Sequence, residues 1–71
     1  MFMTPSDLPL LRSGGFRQSS YSDNIMYGTD KDGREWQAEI ADKTIFFREV
    51  KNYKLGAPMQ YSEAFFRQYH H

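Results

Sequence analysis

Residues 25–50 constrain the fold most tightly, because they alternate as β-strands do through three successive segments. Turns at Asp30-Lys31-Asp32-Gly33 and at Asp42-Lys43 divide the stretch into strands over 25–29, 34–41 and 44–50. Side chains along a strand point to opposite sides in turn. With those turns, Ile25, Tyr27, Trp36, Ala38, Ile40, Ile45 and Phe47 therefore share one face, whereas a wrong register would scatter them. The turn residues suit their positions, since glycine supplies a positive φ and aspartates bond to backbone amides. Counting back from Asp42-Lys43 pairs Ile40 with Ile45, Ala38 with Phe47 and Trp36 with Glu49. Counting back from the first loop pairs Tyr27 with Trp36 and Ile25 with Ala38. The opposite face then carries Met26, Phe46 and Val50 among Glu35, Gln37, Glu39 and Arg48. That face is too apolar to be simply solvated and too charged to be a second core.

The flanking segments are read from weaker signals. Residues 16–21 form a polar edge strand, and Ser22-Asp23-Asn24 supplies the turn after it. Residues 51–57 read as a linker. From Met59 onward the pattern is helical: Tyr61, Phe65 and Tyr69 recur every four residues, and Phe66 lies beside that stripe. Either Pro58 occupies the first turn or Ser62 caps a shorter helix. A helix of about ten residues is marginal alone in water, so it must pack on the sheet face that bears Trp36. Residues 1–15 form a separate arm, broken from the rest by Ser13-Gly14-Gly15. Within the arm, Leu8-Pro9-Leu10-Leu11 is either one helical turn capped by Ser6 or an extended apolar segment. A linear docking motif is one use for it. Cover for the chain's own core is preferred, since so small a domain needs the burial. The expected fold is α+β: a three- or four-stranded antiparallel meander with one C-terminal helix on one face, over residues 16–71.

Size limits function as well. A chain of 71 residues makes one domain at most, and such a domain buries only about 60% of the surface its unfolded chain exposes. There is no cysteine, so disulfides and thiolate metal sites are excluded. Aromatics are 17% of the residues, and their large rings are the natural compensation. Nine basic residues balance nine acidic ones, whereas nucleic-acid binders usually carry a basic excess. No apolar stretch is long enough to span a membrane. The first residues lack the pattern of a secretory signal, so a cytoplasmic location is expected.

Catalytic chemistry finds little to work with. His70 and His71 are adjacent at the C-terminus, and neighbours on a helix do not form a chelating pair. They read as a solvated end or the remnant of a purification tag, and no metal or cofactor is expected. No cysteine or internal histidine offers a nucleophile or base. Glu35 and Glu39 would lie about 13 Å apart on a strand, too far to flank one bond. Asp30-x-Asp32-Gly33, with Glu39 beyond it, partly matches a calcium loop. Gly28 stands at the first ligand position, however, and a hairpin loop explains the same residues. No enzyme and no small-molecule substrate are expected.

The sequence therefore points to non-catalytic binding. The order of strands then helix is similar to the KTSC family of small bacterial domains, and Ile25, Tyr27, Phe46-Phe47 and Ser62 carry the likeness. The turn at Asp42-Lys43 is shorter than that family's, its glycine is missing and no proline follows Val50, so the chain is not assigned to it. The expected partner is another protein or a second copy of this chain, bound through Met26, Phe46, Arg48, Val50 and Phe66. An accessory or inhibitor protein of a phage or mobile element is the analogy such a chain invites. The alternatives are single-stranded nucleic-acid binding through sheet aromatics and arginines, and a structural homodimer.

Overall fold

Two-residue turn chemistry at Asp42-Lys43 sets the better-defined hairpin. In the computed structural model, which describes residues 1–70, Ala41 N donates to the Thr44 carbonyl at 2.9 Å and closes that turn. The flanking strands β3 (Glu35–Ile40) and β4 (Ile45–Lys51) pair with Ile40 opposite Ile45, Ala38 opposite Phe47 and Trp36 opposite Glu49. This is the register expected from the turn.

The first hairpin is one residue out of the expected register. In β2 (Ile25–Thr29), Met26 lies opposite Ala38, Tyr27 opposite Gln37 and Gly28 opposite Trp36. Asp30 is the cause. Its amide donates to the Arg34 carbonyl at 2.9 Å, so Asp30 still belongs to the ladder and only residues 31–33 form the loop. Gly33 takes the positive φ of 83° that closes it. The Asp30 carboxylate locks this arrangement by accepting from the Asp32 and Arg34 amides, each at 2.9 Å, and from Trp36 Nε1 at 3.0 Å. A one-residue slip moves every β2 side chain to the other face. Met26 is consequently a core residue, 3% exposed, and Ile25 and Tyr27 turn away from the core.

The Asp30 cluster has a pH signature. Burial pushes its carboxyl up, but the bonds from Trp36 and the Arg34 and Asp32 amides more than offset this and hold it below its ordinary value. A depressed folded value gives stability that is fully present above the unfolded value near 4 and is lost as pH falls through the folded one. Thermal melts followed by circular dichroism from pH 7 to pH 2 should show that loss. Asp30→Asn should flatten it and lower stability at neutral pH by about 1.5–3 kcal/mol, the usual worth of bonds to a charged acceptor. A variant with the wild-type pH profile would contradict this role.

Two more strands complete a five-stranded antiparallel sheet in the order β1-β2-β3-β4-β5. The first, β1 (Arg17–Gln18), is the edge strand read over 16–21, although only two residues of it pair. The last, β5 (Lys54–Leu55), lies in the segment read as a linker. It returns through Asn52 and Tyr53, both at positive φ (54° and 64°), as a two-residue hairpin turn requires. Beyond it, Gly56 N donates to the Glu49 carbonyl, and Phe47 and Met59 exchange backbone bonds of 2.7 and 2.8 Å. The chain from 54 to 59 thus covers the free edge of β4. Met3 N donates to the Tyr61 carbonyl at 2.7 Å, and Phe2 bridges Ser62.

The helices are short. A 3-10 turn (Pro5–Asp7) leads into α1 (Leu8–Ser13). At the other end, α2 (Glu63–Tyr69) begins at Ser62, whose hydroxyl accepts from Phe65 N at 3.1 Å. Pro58 belongs to the extended segment instead. This start point splits the expected stripe. Tyr61 precedes the helix and is buried, while Phe65 and Tyr69 face outward at 39% and 41% exposure. Phe66 is the inward residue, at 1%. It anchors α2 to the core and is not a surface residue.

One core lies between the sheet and these segments. Phe47 stacks on Tyr61 (centroids 4.2 Å apart, planes at 10°), and Phe16 meets Phe47 edge-on. Met3 and Leu11 are fully buried beside them, so residues 1–15 cover the core. His70 overturns its expected role as a solvated end. It is 2% exposed, it stacks on Phe66 at 4.7 Å, and its Nδ1 lies 3.3 Å from the Thr29 carbonyl oxygen. The bond from Lys31 N to the Tyr69 carbonyl fixes the same end of the chain to the first hairpin loop. His71 lies outside the described residues.

Candidate functional site

Because the core residues Met26, Ala38, Ile45 and Phe47 all belong to one side of the sheet, alternation sends their neighbours to the other. That second side carries Ile25 and Tyr27 from β2, Glu35, Gln37 and Glu39 from β3, Phe46, Arg48 and Val50 from β4, and Leu55 from β5. Neither helix adds to the core from this side. Phe46, Arg48 and Val50 are half-buried, and Tyr27 and Leu55 are exposed.

Polar groups on the face are partly tied to one another. Glu39 sits opposite Phe46, and Gln37 opposite Arg48. Arg48 Nη2 lies 3.9 Å from Glu39 Oε1, with both side chains partly exposed, so the pair is worth at most about 1 kcal/mol. Gln37 Nε2 donates to the Tyr27 hydroxyl at 3.2 Å. A groove of about 480 Å³ runs across this part of the face, lined by Tyr27, Glu35, Gln37, Val50, Tyr53 and Leu55. Asp30 and Tyr61, whose ionisation is displaced, lie on the opposite side of the sheet; the Tyr61 hydroxyl is pushed up by burial and further by the charges of Asp30 and Glu49.

Of the expected binding residues, Phe46, Arg48 and Val50 are brought together here by β4. Met26 and Phe66 are not, since both are in the core. The face gains Ile25, Tyr27 and Leu55, which the sequence pattern does not place there. A three-residue loop over 31–33 is the signal for Tyr27. Leu55 depends on a turn at Asn52-Tyr53 that contains no glycine.

A smaller apolar depression, about 200 Å³, lies on the far side between Phe2, Met59 and Phe65. Among the described residues, no three His, Cys, Asp or Glu side chains gather as a metal-ligand set. Among them, too, no helix is long and apolar enough to cross a membrane. Comparison of the chain with family models, with curated proteins and with solved structures gave no match.

Proposed function

We propose that this protein is a small non-catalytic binding module that holds another protein, or a second copy of itself, against the open sheet face. One observation carries the reading. The core forms on one side of the sheet, and the other is left with Tyr27, Phe46, Val50 and Leu55 around a few charges. Large apolar side chains left on a sheet face that the core does not use suit an interaction surface. The sheet edges favour contact through the face. β1 and β5 pair over two residues each, and such short edges are poor templates for an added strand.

Affinity capture from host lysate with immobilised protein, together with sedimentation analysis of the free protein, tests this. A defined partner or a concentration-dependent mass is expected. Phe46→Asp and Leu55→Asp should each remove it while leaving the far-ultraviolet circular dichroism unchanged. A monomer that captures nothing, or folded variants that bind as the wild type does, would end the proposal.

A further inference from the structure

We propose that the groove between Tyr27 and Tyr53 takes a lysine or arginine side chain of the partner; this rests on the open face being the binding surface. The chemistry of the lining selects a cation. Its walls include two tyrosine rings, Tyr27 held through its hydroxyl by Gln37 and Tyr53 at the tip of the β4–β5 turn. Val50 and Leu55 add apolar lining, and Glu35 is the one charged side chain among the lining residues. Ring faces attract cations, and apolar lining suits the methylene stem of a long basic side chain. A carboxylate from the partner would be repelled by Glu35. A wholly apolar side chain would leave the exposed Glu35 carboxylate without a counter-charge.

Four of the protein's nine basic side chains are directed elsewhere. Arg48 pairs with Glu39. Arg17 Nη1 donates to the carbonyls of Arg12 and Phe16 at 3.1 and 2.9 Å. Lys51 lies opposite Lys54, one step out of phase with the Val50–Leu55 pair that lines the groove, so both lysines point to the other side of the ladder. Among the described residues, Glu35 makes no ion pair. Tyr53 takes its φ of 64° from the two-residue turn, which leaves its side chain fully exposed at the rim of the groove.

The test is a nitrogen-15 NMR titration of the whole protein with acetyl-Gly-Arg-Gly-amide and acetyl-Gly-Lys-Gly-amide. The norleucine and glutamate analogues of the same peptide serve as controls. Saturable shifts confined to amides near Tyr27, Glu35, Gln37, Val50, Tyr53 and Leu55 are expected for the cationic peptides only, weakening with salt. Glu35→Gln should remove the salt dependence. Tyr53→Gly should weaken binding about two- to fivefold, the usual worth of an exposed cation–π contact. Glycine adopts a positive φ freely, so this variant should melt no lower than the wild type. Equal shifts from norleucine, no shifts from either cationic peptide, or an unaffected Glu35→Gln would each overturn the assignment. Phe46 lies outside the groove, so a groove that rejects cations while Phe46→Asp still abolishes capture sinks this inference and leaves the binding face standing.

Discussion

Phe47→Ala should leave a chain that is close to unfolding at room temperature. Phe47 is fully buried in β4, stacked on Tyr61 and in contact with Phe16 and Phe66 at centroid separations of 6.0 Å. Its backbone is paired on both sides, with Ala38 in β3 and with Met59 in the covering segment. Deleting such a ring costs about 3–5 kcal/mol in lost transfer energy and residual cavity. A domain of this length holds only about 4–10 kcal/mol in total. No disulfide limits the unfolded chain. Urea denaturation checks the size of the loss, and Phe46→Ala is the built-in control. The two residues are adjacent, and the ring of Phe46 is on the open face, so its loss should be much the smaller. Similar losses for both would mean that the sheet does not have one packed and one open side.

What can be read from the sequence follows from how local each determinant is. The β3–β4 hairpin is legible because its turn is two residues long and both strands alternate strongly, which fixes Phe46, Arg48 and Val50 on one face. The β2–β3 hairpin is not, because the same aspartates and glycine serve a four-residue loop or a three-residue one. The three-residue form is held by the bond from Trp36 Nε1, near the start of β3, to Asp30 just after β2. The stripe of Tyr61, Phe65 and Tyr69 is real in sequence, but the Ser62 cap starts the helix after Tyr61 and leaves Phe66 as the anchor. β5 escapes notice because its turn has no glycine to announce it. His70 misleads for a different reason. Its burial depends on rings from distant parts of the chain, Phe16, Trp36, Phe47 and Tyr61 among them, and no local pattern signals such an assembly.

Gly28→Val should be strongly destabilising, against the grain of strand propensity. Valine is among the best strand residues and glycine among the worst, so at an unconstrained strand position the change would help. Gly28 is not unconstrained. A Cβ built on it would lie 2.7 Å from both Cγ and Cδ1 of Phe16 and 3.0 Å from its Cε1. Phe16 has no exposed surface and is wedged against Phe47 and Phe66, so its ring has nowhere to retreat. Glycine inside a strand often marks such a close approach. Overpacking of this kind costs about 1–3 kcal/mol, and the two further methyl groups of valine should take it to the upper end or past it. Gly28→Ala should show a smaller loss, and Phe16→Leu should recover part of it in the double variant, because the two changes share one contact. The sign of the effect also decides the register of β2. With the pairing one residue over, Gly28 would stand on the open face with room for a side chain, and valine would stabilise. A melting temperature that rises in Gly28→Val would therefore restore Met26 to the open face and return Tyr27 to the core, removing one wall of the proposed groove.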